Sequence, residues 1–285
     1  MSTNPWIDRR VIAYAHQGGS HEGPSSCLAT IADALRAGAT AIELDVHMTR
    51  DGVLMVCHDE TVDRTTNASG AIAQMTLDEL KALDNAYWWA PGDAVSPGLD
   101  PSAYPFRGRA PEDVAFQIAT LEEVLERFPD TVLNMDIKQT APEVVPYEQP
   151  LADLLRRYDR ADSVIVSSFS DAAVASFHAI APEFSVGAAT AEVAEFWRCV
   201  QEGERPPATP SEALQVPDTF GDLVVVDRRF VEVAHEMGKV VHVWTINDAP
   251  TMGRLLDMGV DGLISDYPTV MVAEIEARGL TWRGY

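Results

Sequence analysis

Short apolar runs recur along the whole chain, at 11–16, 41–46, 53–58, 132–138, 164–169, 184–189, 222–227, 240–246 and 261–265. Most are rich in Val, Ile and Leu and lack a polar residue at every second place. That is the pattern of parallel strands covered on both faces. Helical patterns fill the gaps at 26–37, 121–128, 151–158, 171–180, 230–237 and 250–258. Strand and helix alternating over 285 residues predict an α/β fold, a single (β/α)8 TIM barrel spanning 1–285.

Nine strand candidates for eight places need one to lie outside the wall. Between Val46 and Val53 there is no room for a crossover helix, and Asp51-Gly52 is a turn signal. Residues 46–58 are therefore expected to form a hairpin on the barrel rim that brings His58 level with Asp45. The stretch 84–117 breaks the rhythm with Trp88, Trp89, Tyr104, Phe106 and several Pro and Gly. It reads as a small insertion, either a lid or substrate wall or a structural loop with its own aromatic cluster. Residues 201–219, rich in Pro and Glu, read as a long surface connection.

Three carboxylates sit inside the apolar runs. Glu43 and Asp45 lie two apart in Ala41–Val46, and Asp136 lies in Leu133–Lys138. Side chains alternate along a strand, so Glu43 and Asp45 share a face. Like charges about 4 Å apart repel by roughly 4 kcal/mol at an effective dielectric near 20. A proton or a cation must relieve such a cluster, and an oxygen-ligand site for one divalent cation, Mg²⁺ or Ca²⁺, is the natural expectation. His16 and His58 end neighbouring apolar runs, which suggests metal-assisted phosphoryl chemistry with a His acid and a His base. Lys138 shares the face of Asp136 and would extend the charge clamp to a phosphate; Gln17 and the amides near Gly18 and Gly19 would add hydrogen-bond donors. Trp244 either packs the core or walls the substrate pocket. Arg64 reads as a rim ion-pair partner, and His47 as a rim residue.

The net charge of −23 argues against nucleic acid or an anionic membrane as a partner held by bulk electrostatics. No run approaches the length of a membrane span. The first ten residues have no apolar stretch before a small-residue cleavage site, and Cys27, Cys57 and Cys199 lack metal spacing. A cytoplasmic protein with reduced thiols is expected. Cys57 would alternate away from His58. Oligomeric state is not read from these features.

The order of motifs resembles the glycerophosphodiester phosphodiesterase family over nearly the whole chain. Ala15-His16-Gln17-Gly18-Gly19, Glu43-Leu44-Asp45, Thr49-Arg50-Asp51-Gly52, His58-Asp59, Asp63-Arg64-Thr65-Thr66, Thr120-Leu121-Glu122-Glu123, Asn134-Met135-Asp136-Ile137-Lys138, Val166-Ser167-Ser168-Phe169, Val243–Asn247 and Gly259–Pro268 carry it. The resemblance implies a barrel that hydrolyses a small-molecule phosphodiester to glycerol 3-phosphate and an alcohol, through a neighbouring hydroxyl and a cyclic phosphate. It maps metal carboxylates onto Glu43, Asp45 and Asp136, catalytic histidines onto His16 and His58, and the phosphate lysine onto Lys138. Three places depart from the family pattern. Gln17 stands where Arg is usual, Ser25 where Glu is usual, and Asp136 where Glu is usual. Glu22 is the candidate to compensate at Ser25. The related sphingomyelinase D-type phospholipases share an Asp-x-Lys third element. A lysophospholipase D- or sphingomyelinase D-like enzyme, its acyl chain received by the aromatic insertion, is therefore the alternative, and a non-catalytic phosphoryl-binding barrel is a third.

Overall fold

The computed structural model describes residues 4–92, 94–280 and 282. Asp93 of the insertion and residues 1–3 of the N-terminal stretch lie outside the described residues. Eight parallel strands form the wall: β1 (Ile12–His16), β2 (Ala41–Met48), β4 (Val132–Ile137), β5 (Val164–Ser167), β6 (Ser185–Val186), β7 (Ala213–Pro217), β10 (Val240–Trp244) and β11 (Gly262–Ser265). β11 pairs back onto β1, and a bridge from Gly187 to Ala213 joins β6 to β7, so the ring is nearly closed. The remaining strands lie off this ring. β3 (Leu54–Val56) pairs antiparallel with β2, and β8 (Thr219–Phe220) pairs with β9 (Leu223–Val224) in a separate hairpin.

Helices carry the chain from strand to strand: α1 (Leu28–Arg36), α2 (Leu77–Lys81), α3 (Leu121–Arg127), α4 (Glu148–Arg157), α5 (Asp171–Ile180), α6 (Thr190–Glu202), α7 (Arg228–Glu236), α8 (Ala249–Met258) and α9 (Pro268–Ala277). Local chemistry sets their ends. The Thr120 hydroxyl accepts from the Glu123 amide while the Glu123 carboxylate accepts from the Thr120 amide, a reciprocal cap that starts α3. Gly259 stops α8 at φ +94°, a left-handed conformation that costs a Cβ-bearing residue.

Apolar shells fill the space between strands and helices. One gathers around β2, β4 and β5, another around β7, β10 and β11. Inside the ring lie Trp6, Ile12, Tyr14, Ile165 and Ile264. Trp6 donates its indole N–H to Ser185 Oγ (2.8 Å), and Asn4 donates to the carbonyls of Glu212 and Gly238, which precede β7 and β10. The N-terminal segment thus closes the barrel floor and leaves the strand C-termini as the open mouth, where this fold carries its chemistry.

The barrel and the β2–β3 hairpin agree with the sequence expectation: Val46 faces Val56 and Met48 faces Leu54. The seventh wall strand does not. Within the run at 222–227 only Leu223–Val224 are strand, as an exposed hairpin arm, while Val225 and Val226 are buried ahead of α7; the wall strand Ala213–Pro217 lies in the stretch read as surface connection. Gln215 interrupts its apolar run because it points into the barrel interior beside His242, its register partner. The insertion is a structural unit. The Arg107 guanidinium sits over the rings of Tyr104 and Tyr87 at 3.6 and 4.2 Å, and Phe106 packs against Trp89 and Phe116. Trp89 and Asn85 donate to the carbonyls of Ser20 and Ser25, fastening it outside β1 and α1. No described helix is long and apolar enough to cross a membrane.

Candidate active site

One cavity of about 680 Å³ opens at the barrel mouth, and His16, Glu43, Asp45, His58, Asp136 and Lys138 all line it. The sheet register explains their meeting. His16 on β1 pairs with Glu43 on β2, and Asp45 on β2 pairs with Asp136 on β4. His58 arrives from outside the ring, because the β3 end is held to β2 by the Cys57 amide donating to the Asp45 carbonyl (3.0 Å). The two imidazoles face each other edge to face, with centroids 6.0 Å apart.

Each imidazole has a carboxylate behind it. His16 Nδ1 lies 2.6 Å from Asp266 Oδ1, and His58 Nδ1 lies 2.6 Å from Asp59 Oδ1. A carboxylate only accepts, so each Nδ1 carries hydrogen and each Nε2 is left for proton exchange. Asp266 is itself held by the Ser20 hydroxyl (2.6 Å) and the Asn247 amide (2.7 Å), with His21 Nδ1 at 3.3 Å. Asp59 receives Arg64 Nε at 2.5 Å, so Arg64 is a rim ion-pair partner, as expected. Burial disfavours charge on His16, yet Glu43, Asp266 and Asp45 outweigh it and raise its pKa to about 9. Burial also opposes ionisation of Asp59 and Asp266; hydrogen bonds from their partners win, led by His58 and His16, and hold both below the usual carboxylate range.

The three buried carboxylates repel. Burial first, and Asp45 second, push Glu43 upward; burial also raises Asp136. The Lys138 ammonium lies 2.7 Å from Asp45 Oδ1 and 2.8 Å from Asp136 Oδ2. Burial alone would lower Lys138, but Asp45, Asp136 and Glu43 hold it charged. Asp45 Oδ2 and Asp136 Oδ1 stay buried with no hydrogen-bond partner. Among the described residues no three His, Cys, Asp or Glu side chains are gathered tightly enough to hold an ion as they stand. The hard oxygen donors, the partnerless oxygens and the surplus negative charge nonetheless fit a divalent cation by chemistry.

A model of the glycerophosphoryl diester phosphodiesterase family matches residues 16–270. The chain belongs to that family. A glycerophosphodiester phosphodiesterase of Bacillus subtilis is 30% identical over 271 residues, covering 91% of this chain and 84% of its own length. One from Caldanaerobacter subterraneus is 29% identical over 272 residues, covering 95% and 100%. Among solved structures, an Oleispira antarctica phosphodiesterase in complex with the product sn-glycerol-3-phosphate superposes with a TM-score of 0.69 at 23% identity, covering 95% of this chain and 99% of that one.

Set against the glycerophosphodiester phosphodiesterase pattern, the departures have clear places. Gln17 is buried, has φ +51° and does not line the cavity; its Nε2 lies 3.4 Å from His16 Nε2, and its backbone amide donates to Glu43 Oε2 at 3.3 Å. The Gly18 and Gly19 amides donate to the Ala15 and His16 carbonyls, so the turn consumes them and the expectation of free phosphate donors is withdrawn. Ser25 is buried beside Ser26. Glu22 accepts from the Thr269 amide (3.1 Å) at the start of α9 and does not compensate for Ser25. Trp244 lines the cavity and packs edge to face with Phe169 (5.7 Å), a wall position. His47 is buried behind the His58 carbonyl and does not line the cavity. The Cys57 thiol, pushed up to about 12 by burial, packs with Met55, Val62 and Ile72 on the far side.

Sequence reasoning missed Asp266, Asp59 and Asn247 as supports. Their signal was present: each lies within a few residues of a strand end, inside a motif already noted. Apart from Trp244, it also missed the apolar side of the mouth. No described residue of the 84–117 insertion lines the cavity, so the insertion is not its wall. That wall comes from the loops after β5, β6 and β7.

Proposed function

We propose that this chain hydrolyses glycerophosphodiesters to glycerol 3-phosphate and an alcohol. The carrying observation is the meeting of two carboxylate-backed imidazoles, 6.0 Å apart, over three buried acids and a lysine at the barrel mouth. His16 is placed to give an Nε2 proton to the departing alcohol oxygen as the P–O bond breaks. His58 Nε2 takes the proton of the attacking glycerol hydroxyl, and the roles reverse when water opens the cyclic phosphate. Asp266 and Asp59 keep the rings turned for this exchange. Glu43, Asp45 and Asp136 would hold one Mg²⁺ or Ca²⁺, which when bound neutralises the non-bridging phosphate oxygens. Lys138 adds a second positive charge beside the phosphate. Three free, buried thiols support a reducing, cytoplasmic setting, and the net charge of −23 supports a small molecule rather than nucleic acid as partner.

Purified protein supplied with Mg²⁺ or Ca²⁺ is expected to release glycerol 3-phosphate from glycerophosphocholine, and chelator to abolish the release. His16→Ala and His58→Ala are each expected to remove turnover. No product from any glycerophosphodiester, or full turnover in both variants, would refute the proposal.

A further inference from the structure

The cavity that holds the reactive groups is much larger than their cluster, and its other side is apolar. Going round the ring, His16, Glu43, Asp45, Asp136 and Lys138 come from β1, β2 and β4. The opposite arc follows β5, β6, β7 and β10. It supplies Phe169, Val193, Trp197, Leu223 and Trp244, spaced by the small side chains of Ala188, Ala189 and Ala194. Lys138 Nζ lies 5.9 Å from the Phe169 ring, so the two sides meet without a gap.

Solvent reaches this wall. Phe169 is 62% exposed, Leu223 49% and Phe220, also in the lining, 73%. Exposed apolar side chains gathered at one mouth carry a free-energy cost that an apolar ligand removes. The wall is also built. Trp197 donates its indole N–H to the Val224 carbonyl (3.0 Å), pinning the β8–β9 hairpin against α6. Phe169 packs on Trp244. The polar side chains here are Ser167, Ser168, Thr190, Gln215 and Thr245, all uncharged, and Arg198 at the edge is tied to Glu195, Glu202 and Glu204.

We infer that the preferred substrate is a phosphodiester carrying a single hydrocarbon chain, with the chain laid along Phe169, Val193, Trp197, Leu223 and Trp244 while the phosphate sits between His16 and His58. This rests on the phosphodiesterase reading above. The occupant is part of the substrate because the wall and the reactive cluster share one cavity, so whatever covers the wall lies against the bond being cleaved. A volume near 680 Å³ is in the range of small-ligand sites, about 300–1,000 Å³.

The test uses the full chain with Mg²⁺ or Ca²⁺, glycerophosphocholine, and its 1-acyl esters of increasing chain length, all below their micelle-forming concentrations. The expected result is a kcat/KM that rises with chain length, by at most about fourfold per buried methylene, and then levels off once the wall is filled. In Val193→Asp and Leu223→Asp, the ratio of kcat/KM for the long ester to that for glycerophosphocholine is expected to fall toward one. If glycerophosphocholine is cleaved and chain length has no effect or lowers the rate, the inference is overturned while the phosphodiesterase reading stands. A chain-length effect that appears only above the micelle-forming concentration overturns it too, assigning the wall to an aggregate surface. Cleavage of neither compound refutes both.

Discussion

The β1–β2–β4 arc of the barrel mouth crowds two imidazoles, three carboxylates and an ammonium into one corner. The β5–β6–β7–β10 arc offers Phe, Val, Leu and Trp to the same space. The charged arc is carried mainly on the strands, whose register fixes each group relative to the next. The apolar arc is carried largely on loops, on α6 and on a hairpin, which the barrel positions less directly. Two histidines show how far the local surroundings decide chemistry. His16 is held charged by carboxylates, with a pKa near 9. His242, inside the barrel on β10, is lowered by burial to about 4, against the pull of Asp261, and stays neutral. Both its nitrogens, the Tyr14 hydroxyl and the Gln215 amide are buried there without hydrogen-bond partners.

Breaking the charged arc should have the largest effect. His16→Ala is expected to lower kcat on glycerophosphocholine by roughly 10²–10⁴-fold, measured by glycerol 3-phosphate release; a loss below tenfold would remove His16 from the chemistry. His242 gives the next effect, on stability. Its folded pKa lies below the unfolded value near 6.5, so the unfolded chain binds the extra proton between those values. No penalty exists above pH 6.5; it grows as pH falls and is complete below about 4, reaching roughly 3 kcal/mol. Urea denaturation across this range should show the decline in the wild type and a shallower one in His242→Leu. An equal slope in both would assign the decline to other groups.

Asp266→Asn separates holding a ring from supplying the proton. It is expected to cost about tenfold to a hundredfold in kcat, less than the ~10²–10⁴ for losing the acid itself, with KM little changed and the pH–rate profile displaced to lower pH. An altered KM with an unmoved profile would make Asp266 a structural residue only. The smallest effect is expected from Glu22→Ala. Loss of its contact at the α9 N-terminus should lower stability by roughly 0.5–1 kcal/mol and leave turnover intact. A marked loss of activity would restore Glu22 to the site.

The legible part of the molecule is the part written on strands. Runs such as Ala41–Val46 declare their burial and, by alternation, that Glu43 and Asp45 share a face; Asp136 lies in a separate run, and it is the β2–β4 register that sets it beside Asp45. Asp51-Gly52 announced the hairpin that carries His58. Ala213–Pro217 was hidden because Gln215, a polar residue facing the barrel interior, breaks the apolar run, while the exposed Leu223–Val224 mimics a buried strand. The apolar arc was hidden for a related reason. Its residues come from separate loops after different strands, and no periodicity links Phe169 to Val193 or Leu223. The aromatic insertion drew attention instead, yet its rings serve Arg107 and one another.

The support of the second imidazole has a further meaning. His16 rides on a stave of the ring, but His58 rides on an outrigger, attached along one edge to β2 and at Met55 and Val56 to the segment before α3. The span between proton donor and proton acceptor is therefore set at a joint outside the eight-strand wall. Mutations in that outrigger can widen or narrow the span while the staves, and the carboxylates mounted on them, keep their registration.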